Sequence, residues 1–343
     1  MTNKNRNYAA LATAAGAAGL ALGIQAAVRF SRRISFRGKN VLITGGSRGL
    51  GLVLARQFAD EGANVAICAR DEEELRRAQD DLRQYGVDVL AVQCDLLSRE
   101  QIEGMIDGLN RHFGSIDILV NNAGTISVGP LEVMTIADYE EAMRLHFWAP
   151  LYTTMAVLPQ MKRRQTGRIV NVSSIGGKVS APHLLPYSAS KFALVGFSEG
   201  LRSELEDDGI YVTTVCPGLM RTGSPRNAFF KGQHRKEFAW FTISDSLPLI
   251  SVSADTAARR ILQACRYGKA EVMLSMPARL ATTLHGIFPG ITSEVNAWIA
   301  RAMPEPGGIG ADRAQGKESH SEAAPSKWTI LTEKAAVANN EMR

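Results

Sequence analysis

From Lys39 onward, short unbroken apolar runs alternate with longer stretches of helical length and pattern. "NVLIT" (40–44) predicts a buried strand, and "GLVLARQFADEG" predicts a helix closed by Gly62. "NVAICA" (64–69) is the next strand, followed by a charged helix from Asp71 to about Tyr85. "VDVLAVQCD", "IDILVNN", "RIVNVSS" and "IYVTTVCPG" predict four more strands separated by helix-length segments, and "AEVMLS" (270–275) predicts a seventh. Strands that are apolar along their whole length need cover on both faces, which crossover helices supply in a parallel sheet. The fold class is therefore α/β: a doubly wound, Rossmann-type parallel sheet of about seven strands with helices on both faces. Such a sheet binds its ligands beyond the carboxyl ends of the strands.

The flanks read differently. Residues 7–28, "NYAALATAAGAAGLALGIQAAV", carry no charge and are long enough to span a bilayer as a helix. Ala15, Gly19, Gly23 and Ala27 recur every fourth residue, a small-residue face suited to close packing in lipid. The segment reads as a membrane anchor, with a signal segment or a soluble arm as the alternatives, because alanine and glycine contribute little hydrophobicity. The basic cluster after it outweighs Lys4 and Arg6 before it, which would leave the main domain facing the cytoplasm. The expected organisation is an apolar segment with a basic linker (1–38), a Rossmann-type domain (39–276), an amphipathic extension (277–303) and a polar, flexible tail (304–343). Within that tail, "KWTILTEKAA" is a stretch that can dock.

Composition narrows the chemistry. The 343 residues are 45% hydrophobic, enough for a large core, and the net charge of +5 is partly local to Arg29, Arg32, Arg33, Arg37 and Lys39. No aromatic-interleaved basic face or finger spacing points to nucleic acid. Cys68, Cys94, Cys216 and Cys265 are scattered, mostly in apolar runs, so they read as buried hydrophobes in a reducing compartment. Neither they nor the six histidines have metal-ligand spacing, and no metal is expected.

The first strand runs directly into "TGGSRGLG" (44–51). Between a strand and a helix, glycines at 45, 49 and 51 allow a tight turn and close approach of the backbone to a pyrophosphate at the helix N-terminus. Further on, "LPYSASKFALVGFSEG" (185–200) places Tyr187 and Lys191 one helical turn apart on one face.

With "NNAG" (121–124), Ser174 thirteen residues before Tyr187, and Pro217-Gly218, these motifs make the chain resemble a short-chain dehydrogenase/reductase of the single-domain type, from about Lys39 to about Ser275. The resemblance implies proton transfer by Tyr187 at the substrate oxygen, with Ser174 rather than neighbouring Ser173 holding that oxygen. Lys191 would favour the phenolate and bind the cofactor ribose. It implies a nicotinamide dinucleotide held by Gly45, Ser47, Arg48, Gly49, Leu50 and Gly51, by Asp95 and Leu96 beside the adenine, and by Asn122, Ala123 and Gly124. Tyr187, Lys191, Pro217, Gly218 and Thr222 would complete its site, Thr222 at the nicotinamide amide. Ala69 stands where NAD-dependent members carry an acid, and Arg48 and Arg70 supply guanidiniums, so the pattern is the NADP(H)-preferring one. Asp71 is better placed as a helix N-cap. His146 stands at the position of the family's active-site asparagine, where a structural role is expected. The resemblance also implies a homodimer or homotetramer.

Phe229, Phe230, Phe238, Trp240 and Phe241 fall where the family keeps its substrate lid. They either favour a large apolar substrate, steroid-, retinoid- or long-chain-like, or pack the lid onto the core. A 3-oxoacyl reductase and a non-catalytic NADPH-binding scaffold are the alternative functions. If residues 7–28 anchor the protein, the full chain pellets with membranes and resists high salt, whereas a chain beginning near Ser35 stays in the supernatant. Release of the full chain by salt alone counts against the anchor.

Overall fold

A computed structural model of the protein describes residues 30–342, together with Gly23 and Ala27. The anchor expected at residues 7–28 lies outside the described residues, those two excepted. Among the described residues no helix is long and apolar enough to cross a membrane.

From Asn40 the described elements run β1 (Asn40–Thr44), α1 (Gly49–Asp60), β2 (Asn64–Ala69), α2 (Glu72–Arg83), β3 (Val89–Gln93), α3 (Arg99–Phe113) and β4 (Ile118–Asn121). A short β5 (Ser127–Val128) precedes α4 (Ile136–Met143), which continues through one π-helical turn, Arg144–Trp148, into α5 (Ala149–Arg164). Then come β6 (Gly167–Val172), α6 (Leu185–Leu205), β7 (Ile210–Cys216), β8 (Leu219–Arg221) and β9 (Phe229–Phe230). They are followed by α7 (His234–Ser246), β10 (Ser251–Ser253), α8 (Ala254–Arg266) and β11 (Glu271–Met273). The remaining elements are α9 (Met276–Ile287), α10 (Pro289–Arg301), β12 (Ala314–Gln315) and α11 (Ile330–Ala338).

Seven strands form one parallel sheet in the order β11-β7-β6-β4-β1-β2-β3. Strand alternation divides the core between its faces. Val41 and Ile43 join Leu52, Phe58 and Ile261 on one side, while Leu42 joins Ile106, Met161 and Leu205 on the other. Helix ends follow local chemistry. Asp71 caps α2 by accepting from the Glu74 N–H at 2.8 Å, and Ser98 caps α3 in the same way. The turn after α1 closes at Gly62, whose φ of 81° suits glycine.

Of the two readings of the lid aromatics, packing is the one seen: Phe230, Phe238 and Phe241 form a small core with Val128, Ala228 and Ala324. Phe238 and Phe241 are three apart on α7, so both rings turn down onto β9. The segment 304–342, expected to be flexible, is packed against the domain. Its β12 pairs antiparallel with β9, and Ser319, Ala324, Thr329, Thr332, Ala336, Asn339 and Glu341 are buried. Composition misleads here because small and polar residues let backbones approach closely and find partners on another surface, which no local pattern shows. The extension before it keeps its apolar surface outside: Leu280, Ile287, Ile291 and Trp298 of α9 and α10 are exposed.

Phe58 is fully buried, edge-on to Phe36 at 4.9 Å. Phe58→Ala should lower unfolding free energy by about 3–5 kcal/mol in denaturant titration, the usual cost of emptying such a site.

Candidate active site

Strand β1 lies between β2 and β4, and the chain reverses its direction of winding there. At this switch point the Thr44 hydroxyl accepts the N–H groups of Asn122 (3.0 Å) and Ala123 (3.1 Å). The Asn122 amide in turn donates to the carbonyls of Thr44 and Gly45, both at 3.1 Å. The side chain expected to touch a ribose thus has its N–H donors committed to fixing the glycine loop. Gly45 and Gly49 have φ of 64° and 56°. A Cβ on Gly51 would stand 2.1 Å from the Gly45 carbonyl oxygen, so helix and loop meet with no room for a side chain. This tight cradle, followed by the N–H groups opening α1, fits the pyrophosphate of a nicotinamide dinucleotide.

Further residues named from the sequence gather around the same cleft. Ser47 is buried and donates to Glu74 at 3.1 Å. Arg48 meets Glu74 at 3.0 Å and Glu341 at 3.6 Å. Leu50 and Leu96 are buried, and Asp95 accepts the Leu97 N–H at 3.0 Å, which shapes the turn after β3. Arg70 is exposed at the end of β2, beyond Ala69. The Pro217 carbonyl accepts the Ile175 N–H, which ties the end of β7 to the loop after β6. A Cβ on Gly218 would lie 2.7 Å from Ser275 Oγ. Thr222 is buried, and its hydroxyl accepts the Ser224 N–H.

The chemistry-bearing side chains converge beside this cleft. Pro186 sits in the first turn of α6, where its missing N–H costs nothing, and Tyr187 follows it. Ser174 accepts the Gly176 N–H at 3.0 Å, and a Cβ on Gly176 would meet both Ser174 Oγ (3.4 Å) and the Tyr187 ring (3.3 Å), so the two side chains flank one point. Ser173 instead donates to the Lys191 carbonyl at 2.9 Å, which distinguishes the two serines. Lys191 Nζ donates to the Val172 carbonyl at 2.9 Å and lies 5.7 Å from the Tyr187 ring centre.

Burial dominates the electrostatics. It raises the phenol of Tyr187 above its ordinary value of 10, with the Ser174 side chain pulling the other way. It lowers Lys191 to about 7. Desolvation thus favours the neutral form of both groups.

His146 lies in the π turn, buried, with its ring edge-on to Tyr187 at 5.4 Å. The extra residue of a π turn resets which side chains face inward. The Thr125 N–H donates to Nε2 at 3.1 Å, so Nδ1 carries the proton and donates to Ser190 Oγ at 2.7 Å. Ser190 passes the chain on to the Tyr187 carbonyl at 2.8 Å. Burial, then the charge of Lys191, hold the imidazole well below 6.5, so it is neutral. Gly124 leaves room for this arrangement, since a Cβ there would be 3.2 Å from His146 Nε2.

Above the phenol is a small recess lined by Thr125, Ser127, Asp138, Glu141, Pro186 and Tyr187, with none of the lid aromatics among the residues forming its wall. Burial alone would raise Asp138, but hydrogen bonds from Lys231 and Thr135 hold it below the usual carboxylate range. Ser190, Thr125 and Asp138 escaped the sequence reading, and the bridging role of Thr44, which opens the glycine motif, was not foreseen. Of the first three only Ser190 left a signal, three residues after Tyr187 on the same helix face.

A family model described as short chain dehydrogenase matches residues 39–230. The chain is a short-chain dehydrogenase/reductase. Its fold is the seven-stranded parallel sheet of that family, and the family's members are oxidoreductases that bind NAD(P)(H). The short-chain dehydrogenases it resembles include dehydrogenase/reductase SDR family member 7B of Danio rerio, 32% identical over 296 residues, covering 84% of this chain and 94% of the relative. Another is 11-beta-hydroxysteroid dehydrogenase A of Sesamum indicum, 34% identical over 271 residues, covering 78% of this chain and 75% of the relative. Among solved structures, a variant of actinorhodin polyketide ketoreductase with NADPH superposes with a TM-score of 0.62 at 31% identity, covering 69% of this chain and 95% of that one.

His146→Asn should keep turnover within about tenfold, the loss of one or two hydrogen bonds, whereas Tyr187→Phe should lose about 100- to 10,000-fold with the fold intact. A histidine buried neutral adds stability that is present above its unfolded value near 6.5 and is lost as pH falls. His146→Asn should therefore flatten the acid limb of a stability–pH curve. Equal inactivation of the two variants would give the imidazole a chemical role.

Proposed function

We propose that the protein is an NADP(H)-dependent oxidoreductase that interconverts a hydroxyl and a carbonyl on a lipophilic substrate, with Tyr187 as the general acid/base. The observation that carries the chemistry is the convergence of three side chains: Ser174 Oγ and the Tyr187 ring both flank Gly176, within 3.4 Å of where its Cβ would stand, and Lys191 lies one turn along the same helix. A bound nicotinamide dinucleotide supplies or accepts the hydride. Ser174 holds the substrate oxygen and Tyr187 exchanges a proton with it. A phenol kept neutral by burial is ready to donate, which suits carbonyl reduction. Lys191, near 7, is poised to take up or release the compensating proton. His146 positions this set by tying the Thr125 backbone to the first turn of α6.

Preference for the 2′-phosphorylated cofactor is supported at the end of β2. Ala69 offers no carboxylate there, Asp71 is committed as a helix cap, and the exposed guanidinium of Arg70 suits phosphate. The NADPH complex of the similar ketoreductase is consistent with this reading.

A lipophilic substrate is supported by the similarity to a steroid dehydrogenase and by the apolar surface of α9 and α10. Asn296 of α10 donates to the Ser180 carbonyl, in the loop that leads to Tyr187. A 3-oxoacyl reductase is the second reading, favoured by the hydroxyls and carboxylates of the recess wall and by the ketoreductase relative. Membrane association through residues 7–28, with the domain in the cytoplasm, and assembly as a homodimer or homotetramer complete the proposal.

A panel of steroid, retinoid, long-chain and 3-oxoacyl substrates with each cofactor separates these readings. NADPH should be preferred to NADH, and Arg70→Asp should shift the ratio of kcat/KM values toward NADH by about 10- to 100-fold, the worth of a charge-assisted hydrogen bond. Equal use of both cofactors at matched concentration would defeat the assignment. No turnover on any substrate would favour a scaffold.

A further inference from the structure

The segment 304–342 crosses both halves of the active-site face. On the substrate side, β12 pairs with β9 and Arg313 meets Glu141 of the recess wall at 2.8 Å. On the dinucleotide side, α11 packs against the loop after β8 so closely that Gly223, at φ 96°, would place a Cβ 2.5 Å from Ala336 Cα. Thr332 of this helix meets Ser246 at 2.6 Å, and Glu333 pairs with Arg226 at 3.0 Å.

Beyond α11 the chain enters the cleft itself. The Asn339 carbonyl accepts the N–H of Gly49 at 2.9 Å, at the residue that opens α1. The Asn339 amide donates to the Thr222 carbonyl at 3.2 Å. Asn340 donates to the carbonyls of Ser47 (2.9 Å) and Glu74 (3.2 Å) and accepts from Arg77 at 2.8 Å. Glu341, buried, sets its carboxylate against Arg48 and accepts from Asn227. One carboxylate oxygen lies 2.6 Å from where a Gly49 Cβ would be. A carbonyl and a carboxylate thus occupy the N–H group, the guanidinium and the glycine face that a pyrophosphate would need.

We propose that residues 330–342 are an intramolecular ligand of the dinucleotide cleft, which nicotinamide dinucleotide must displace to bind. The proposal rests on the dinucleotide reading of that cleft. The two occupants need the same donors, so they exclude one another, and apparent cofactor affinity falls by the fraction of molecules with the strap released. The anchor is suited to release. Burial raises Glu341 to about 7 despite Arg48, Asn227 and Arg226, with Glu74 adding to the rise, so at neutral pH the docked carboxylate is held against its own desolvation.

The test uses the full-length chain and its Glu341→Lys variant, which opposes a cation to Arg48. NADPH and NADH are titrated by nucleotide fluorescence, without turnover. The variant should bind NADPH at least about tenfold more tightly than the wild type. In the wild type, NADPH should speed amide hydrogen exchange across 330–342 while slowing it at 44–51. That second measurement stands even if the variant misfolds. Unchanged or weaker binding by a folded variant, or slower exchange in both segments, overturns the strap and leaves the dinucleotide reading intact. No binding of either nucleotide by either protein overturns both.

Discussion

Strand β1 is bonded on one side to β2 and on the other to β4, and the chain reaches β4 only after crossing back over the sheet. Helices therefore leave the carboxyl ends of these neighbours toward opposite faces, and a crevice opens between them. Thr44 bridges that crevice with one hydroxyl, holding the backbone of 122–123 against the glycine loop. The position of Gly124, and through it the space for His146 and Lys191, follows from this contact. The binding crevice and the chemical residues are thus two consequences of one strand order.

Desolvation sets the character of the centre. Tyr187 is half-buried beside the buried Lys191 and His146, and each is pushed toward its neutral form. A neutral imidazole can complete the chain from the Thr125 amide to Ser190 and the Tyr187 carbonyl; a protonated one would have no lone pair for Thr125. The same burial that makes charge costly makes this polar chain rigid, because each member would lose a partner that water cannot replace.

The lid and the distal segment form a second layer over this centre. Rings of α7 and β9 build a small core, and β12 adds a strand to β9 at its edge. The edge strand is thereby covered and the segment that follows is delivered to the glycine loop. Packing of the lid and placement of Asn339, Asn340 and Glu341 are parts of one arrangement.

The sequence by itself determined the sheet. Strands β1 and β2 fall at the residues their apolar runs indicate, because a strand buried on both faces has no polar position to blur its limits. The glycine loop, Tyr187 and Lys191 were legible for a related reason: a tight turn, a helix start and an i, i+4 pair are local geometry that few residue types satisfy, whereas Ser174 was legible only through the resemblance. Tertiary structure alone decided the rest. It decided that the lid rings face inward and that Asn122 spends its amide on the loop. It also decided that a polar, glycine- and alanine-rich segment is ordered and reaches residues nearly three hundred positions away, as Asn340 does with Ser47. Such contacts depend on complementary groups carried by distant elements, and no periodicity within either stretch encodes them.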